Sequence, residues 1–236
     1  MRQVPKKRIS AAAATAGLLA LLAACGGSSS GGREDNPIVA QNNNATGSSS
    51  PCAKVPTPSG TPQQYKSEPA MCIAPGNYTA TIKTNQGTIV ATLDGAKAPH
   101  TVNSFNFLAG QGYFDNSPCH RLTTQGIFVL QCGDPTGSGS GGPGYTIPDE
   151  NLDGATYPAG TLAMANTGQP HTGGSQFFIC YADTPLPPQY TPFGQVTQGL
   201  EVLKAIAANG EDDSNGPGDG KPNKPVIIES FTVAQG

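Results

Sequence analysis

Glycine and proline interrupt this chain too often for a long helix to run through it. With 31 Gly and 22 Pro in 236 residues, the sequence favours turns and short strands. The segments between these breaks agree. Residues 79–83 and 88–93 are β-rich and flank Asn85-Gln86-Gly87, the pattern of a hairpin. Residues 119–122, 128–131, 161–165, 176–181 and 226–233 read as further strands. Two stretches have helical spacing instead. Pro99 suits a first helical turn, Val102, Phe105, Leu108 and Ala109 form one apolar stripe, and Gly110 is a natural stop. Leu200, Val202, Leu203, Ile206 and Ala207 mark a second helix before Gly210. Many short strands, two helices and no βαβ rhythm predict a mainly β fold, a closed antiparallel barrel rather than an α/β sheet.

The N-terminal quarter is different in kind. Arg2, Lys6, Lys7 and Arg8 precede an apolar stretch over residues 9–22, which is too short to span a bilayer. It ends in Leu22-Ala23-Ala24-Cys25, similar to the bacterial lipoprotein box, in which the cysteine is acylated and becomes the new N-terminus. Residues 1–24 are therefore expected to be a lipoprotein signal peptide and Cys25 the lipidation site. The expected location is the outer face of a bacterial cell membrane, with membrane contact through the lipid alone. Residues 26–62 are rich in Gly, Ser, Asn, Thr and Pro and cannot bury enough surface to offset their ordering entropy. Residues 25–75 are read as a tether, with residues 63–75 transitional, and residues 76–236 as the folded domain. Removal of residues 1–24 leaves 9 basic and 16 acidic residues, a formal charge of −7. Such a surface repels phosphates, so nucleic acid is not an expected partner.

Three ordered segments carry a family resemblance. Cys119-His120-Arg121-Leu122 is followed by Phe128-Val129-Leu130-Gln131-Cys132-Gly133-Asp134. Gly139-Ser140-Gly141-Gly142 is followed by Asp149-Glu150-Asn151. Leu162-Ala163-Met164-Ala165-Asn166 is followed by Gly174-Ser175-Gln176-Phe177-Phe178-Ile179 and then Phe193-Gly194-Gln195-Val196. In order and spacing they resemble the cyclophilin-type peptidyl-prolyl cis/trans isomerases over about residues 76–234. The resemblance implies an eight-stranded antiparallel barrel with a helix capping each end and an active groove on its outer surface. It implies rotation about X-Pro peptide bonds in Pro-containing polypeptides, by a monomer, without metal or cofactor.

Residue by residue, the resemblance implies that Arg121 is the catalytic cation and His120 its neighbour. Arg121 is also the sole Arg after Arg33. Gln131 would hydrogen-bond substrate backbone and orient Arg121. Phe128, Val129 and Phe178 would form the apolar floor, Val129 standing where Met is usual. Ala165 and Asn166 would meet the extended substrate backbone, with Gln176 also in the groove. Leu186 falls near a position where drug-sensitive members carry Trp, and Tyr190 near a usual His. Cyclosporin binding is therefore expected to be weak. Between Arg121 and Phe128 stand six residues, against four in the family. The alternative from another class is a cyclophilin-like module that docks Pro-containing segments without turnover.

Other readings lack support. The glycine-rich loop at residues 137–144 has no following Lys-Ser/Thr, as a phosphate-cradling P-loop would. Asp212, Asp213, Asn215 and Asp219 do not have EF-hand spacing and read as solvated loop charge. Ser175 and His171 lack the context of a nucleophile and its base, and three scattered His show no metal spacing. Of five Cys beyond Cys25, Cys180 is expected to be a buried free thiol. Cys52 and Cys72 are the readier pair. Cys119 and Cys132 bracket one hairpin, but period-two alternation puts them on opposite faces unless a bulge intervenes.

Overall fold

The computed structural model describes residues 63–236. The expected signal peptide, Cys25, residues 26–62 of the tether and Cys52 lie outside the described residues. Cys72 is disulfide-bonded. Residues 63–75 form no helix or strand, yet they lie against the domain rather than trailing from it. Gln64 Nε2 donates to the Gly142 carbonyl at 2.6 Å and Tyr65 N to that of Pro143 at 2.7 Å. The Tyr65 ring packs edge-on to Phe107, and Glu68 meets His100 at 2.6 Å.

The expected first hairpin is formed by β1 (Asn77–Thr84) and β2 (Gly87–Asp94). Its register pairs Tyr78 with Leu93, Ala80 with Ala91 and Ile82 with Ile89, and all six are buried. Alternation thus puts one apolar face inward. Helix α1 (Pro99–Gly110) buries Val102, Phe105 and Leu108. No side chain of its own caps it. Glu150 does so from a distance, accepting from the backbone N–H of His100 and Thr101 at 3.0 and 2.9 Å, so a carboxylate meets the positive end of the helix.

Then come β3 (Ser117–Pro118), β4 (Arg121–Thr123), β5 (Val129–Cys132), β6 (Thr161–Met164), β7 (Phe177–Cys180) and β8 (Pro192–Gln198). Helix α2 (Leu200–Ala208), β9 (Asp219–Gly220) and β10 (Ile227–Gln235) complete the order. Phe105, Phe114, Phe177, Phe193 and Phe231 are fully buried and meet ring to ring at the centre of the core, at centroid distances such as 4.7 Å for Phe105–Phe193. These contacts join α1 to the inward face of the strands.

The ten strands form one antiparallel sheet, in the order β3-β10-β1-β2-β8-β6-β7-β5-β4-β9. This corrects the expectation of a closed eight-stranded barrel. The sheet curls round but stays open, because no ladder joins its two ends. The physical reason lies at Cys119 and His120. The strand expected over residues 119–122 begins only at Arg121; Cys119 and His120 belong to no strand and divide β3, which pairs with β10, from β4, which pairs with β5. That division and the two-residue β9 account for the larger strand count. The break also turns Cys119 into the core, where it forms a disulfide with Cys132 at a Cα–Cα distance of 4.0 Å. The irregularity thus removes the conflict with strict alternation. Cys180 is a free, buried thiol, and burial pushes its pKa up to about 11.

Candidate active site

The outer face of the sheet is not uniformly polar. β6 and β7 are buried on both sides. Their inward residues, Leu162, Met164, Phe177 and Ile179, join the main core. Their outward residues, Ala163, Phe178 and Cys180, join Val129 and Tyr157 in a second apolar cluster. Ala165, Leu186 and Tyr190 pack against that cluster, each partly exposed. Phe178 meets Tyr190 edge-on at 5.6 Å. Tyr157 fixes Tyr190, donating from its hydroxyl to the Tyr190 carbonyl at 2.8 Å and accepting from the Tyr190 N–H at 3.0 Å. Phe128 stands apart from this group: it is half-buried, and its ring meets Tyr181 at 6.0 Å.

Strand register sets the cluster beside a cation. Arg121 of β4 lies opposite Gln131 of β5, Gln131 opposite Phe178 of β7, and Phe178 opposite Ala163 of β6. Directly opposed residues point to the same face. One outward row therefore runs guanidinium, amide, aromatic ring, methyl.

Hydrogen bonds orient the polar end of that row. Arg121 can only donate, so Gln131 presents its oxygen to Arg121 Nη1 at 3.1 Å. Gln131 Nε2 then donates to Gln176 Oε1 at 2.9 Å. Gln176 Nε2 in turn donates to the carbonyls of Gly139 and Gly141 at 3.0 and 2.9 Å. An arginine at one end and carbonyls at the other leave both amides a single orientation.

The glycine-rich loop that receives this chain is folded round Asp134. The fully buried Asp134 carboxylate accepts from Thr136, Ser138, Gly139 and Gly141. Burial alone would raise its pKa. The hydrogen bonds, from Thr136 and Gly141 first, outweigh burial and hold it down at about 2. A Cβ on Gly141 would stand 2.0 Å from Asp134 Oδ1, so this position requires glycine.

His120 lies between β3 and β4, buried, and no hydrogen bond to either ring nitrogen is found among the described residues. Gln176 lies near it, but the amide hydrogens of that residue go to Gly139 and Gly141. Burial lowers the His120 pKa against the opposing pull of Asp134, so the ring is neutral at pH 7. Asn166 spends its side chain on the Gln189 carbonyl at 2.8 Å. No hydrogen bond found among the described residues uses its backbone N–H or C=O. A cavity of about 740 Å³ opens beside the row, lined by Gln131, Ala165, Asn166, Gln176 and, from the N-terminal segment, Gln64.

Two contributors escaped the sequence reading. Gln64 lies in the expected tether. Asp219, read as solvated loop charge, is instead paired with Arg121. Arg121 Nε donates to its Oδ1 at 2.8 Å and Nη2 to its Oδ2 at 2.6 Å. The hydrogen bond with Arg121 lowers the Asp219 pKa and raises that of Arg121. No local motif marks Asp219; it meets Arg121 only because β9 pairs with the free edge of β4.

Comparisons with known proteins point to one family. A family model, cyclophilin type peptidyl-prolyl cis-trans isomerase/CLD, matches residues 79–233. A probable peptidyl-prolyl cis-trans isomerase B of Mycobacterium leprae is 47% identical, over 67% of this chain and 58% of its own. That of Mycobacterium tuberculosis H37Rv is 46% identical, over 67% and 55%. The chain thus spans little more than half the length of these relatives. A probable peptidyl-prolyl cis-trans isomerase A of Mycobacterium leprae is 40% identical over 67% of this chain and 93% of its own. The crystal structure of a cyclophilin type peptidyl-prolyl cis-trans isomerase of Cryptosporidium parvum superposes with a TM-score of 0.60 at 31% identity, covering 68% of this chain and 99% of that one. With the family model matching residues 79–233, most of the described residues, this chain belongs to the cyclophilin-type peptidyl-prolyl cis-trans isomerase family.

Proposed function

We propose that this protein is a peptidyl-prolyl cis/trans isomerase acting on X-Pro bonds of exported polypeptides, with Arg121 as the group that stabilises the twisted imide. The observation that carries the reading is the outward row Arg121, Gln131, Phe178, Ala163. The relatives' names support it, as does a solved structure of the Cryptosporidium parvum relative obtained in the presence of the dipeptide Ala-Pro.

The chemistry asks for little else. The barrier to rotation is about 18–20 kcal/mol because the C–N bond has partial double-bond character. In the twisted state resonance is lost and the imide nitrogen carries a free lone pair. A cationic N–H donor aimed at that nitrogen binds the twisted state more strongly than either planar one, which is what lowers the barrier. Phe178, Val129, Leu186 and Tyr190 give the proline ring an apolar seat. The backbone of Asn166 is available to pair with an extended substrate. No bond is made or broken, so no nucleophile or general base takes part.

Export and anchoring complete the proposal. The protein is held by a lipid on Cys25 at the outer face of a bacterial membrane and acts there as a monomer. Residues 1–25 support this reading through their basic, apolar and small-residue order. Mass spectrometry of membrane-extracted protein should show an acylated Cys25 at the N-terminus; an unmodified protein that starts elsewhere would refute it. For the activity, exchange of a Pro-containing peptide should accelerate on adding the protein. Peptide binding without acceleration would favour the docking module instead.

A further inference from the structure

The contact least explained by an apolar groove with a cationic rim is the carboxylate on Arg121. A carboxylate weakens the field of a cation, so its presence at this guanidinium needs a reason. The reason lies in how Arg121 is held. Gln131 supplies a single hydrogen bond to Nη1, which fixes a distance but not a plane. Asp219 takes Nε and Nη2 together, and a two-pronged carboxylate contact does fix the plane. The two partners approach from opposite edges of β4, Gln131 on β5 and Asp219 on β9. Of the five guanidinium N–H donors, these contacts use three. One on Nη1 and one on Nη2 remain for a substrate.

Asp219 is itself firmly placed. Its carboxylate also accepts from Asn215 Nδ2 at 3.1 Å, and its carbonyl from the Asn215 N–H at 2.9 Å. Its loop is locked to the tip of the β4–β5 hairpin, the tip with two residues more than the family spacing. Thr124 N donates to the Gly218 carbonyl at 2.8 Å, and Thr124 Oγ1 to Glu211 at 3.1 Å. Gly218, at φ +75°, lies so close to Gln125 that a Cβ there would come within 2.6 Å. Two loops that no motif describes therefore meet behind Arg121 and present one carboxylate to it.

We propose that Asp219 is a positioning residue for the isomerisation: it holds the Arg121 guanidinium so that its two remaining N–H donors face the groove before substrate arrives. A donor group set in advance does not reorganise during the reaction. The proposal rests on the reading of Arg121 as the catalytic cation.

A double-mutant cycle tests it, with Asp219→Ala and Arg121→Ala alone and combined. The readouts are kcat/KM for a Pro-containing peptide, peptide Kd and Tm, with protein concentration raised until catalysed exchange exceeds the uncatalysed rate. Asp219→Ala should lower kcat/KM by roughly tenfold to a hundredfold through misplacement of the donor, with Kd within about twofold. In the Arg121→Ala background it should cost nothing further. Should Asp219→Ala fail to fold, Asp219→Asn, which keeps the shape and an acceptor for Asn215, is read the same way. Wild-type or higher turnover without the carboxylate overturns the proposal. So does an equal fractional loss in both backgrounds, since Asp219 would then act through the loop fold. A fully active Arg121→Ala protein would instead overturn the reading beneath it.

Discussion

The apolar and polar ends of the groove are built on opposite plans. The apolar end is made of strand residues. Val129, Ala163, Phe178 and Cys180 face outward because β5, β6 and β7 pair in register. The polar end is made of long reaches between loops. Arg121 is fixed by a residue 98 positions away and Gln131 by one 45 positions away. Gln176 is fixed by loop carbonyls that depend on Asp134. On the proposed function, the difference teaches that sheet packing would build the substrate's seat and a hydrogen-bond chain would hold the group that acts. Damage to the first should show as lost stability, and damage to the second as lost turnover.

Phe178→Ala should break the comparison most visibly on the apolar side. Phe178 is 5% exposed and touches both Tyr157 and Tyr190. Its truncation should destabilise the protein by about 3–5 kcal/mol, read as a fall in the denaturant midpoint. A loss of turnover with unchanged stability would show that the seat is no part of the packed structure.

On the polar side, Gly141→Ala forces a methyl onto the Asp134 carboxylate and should cost about 1–3 kcal/mol. It should also reduce turnover, because Gln176 loses its anchor at the Gly141 carbonyl. Full turnover in this variant would show that the chain from Gln176 to Arg121 does not matter.

Acid separates the two ends further. The folded pKa of Asp134, about 2, lies below its value in the unfolded chain, near 3.9. Its contribution to stability is therefore complete above about pH 4 and is lost as pH falls through about 2. Asp134→Asn should flatten the stability profile in that window, whereas Phe178→Ala should shift the whole profile down without changing its slope. A slope unchanged by Asp134→Asn would contradict the role given to the loop.

Cyclosporin probes the seat by a smaller effect. Leu186 packs against the second cluster, near where drug-sensitive members of the family carry Trp, and it has no donor to offer. Inhibition should be weakened by about 1–3 kcal/mol relative to a member with the indole donor. Titration of the activity checks this, and nanomolar inhibition would mean that another group supplies the hydrogen bond.

The same division explains what could be read in advance. The β1–β2 hairpin and both helices follow from alternation, helical spacing and turn residues, as does the pairing of the 119–122 and 128–131 segments. The outward position of Arg121 is what the family resemblance implies. The Asp134 cradle, the Glu150 cap on α1 and the Asp219 contact do not, because each joins a polar atom to a partner chosen by a distant loop. The open sheet escaped for a related reason. Nothing local to Cys119-His120 says that strand pairing breaks there, since the break turns Cys119 inward to meet Cys132 of β5.

Arg121→Ala tests the central claim most directly. Arg121 and Asp219 are about a third and a quarter exposed as side chains, so loss of their ion pair should change stability by about 1 kcal/mol or less. The apolar seat stays, so the affinity for a Pro-containing peptide should change little. The rate should fall about 10²–10³-fold, by analogy with removal of an oxyanion-hole donor. A large loss of kcat/KM in a folded protein that still binds peptide is the predicted result. Near-normal turnover in that same folded protein would contradict the account.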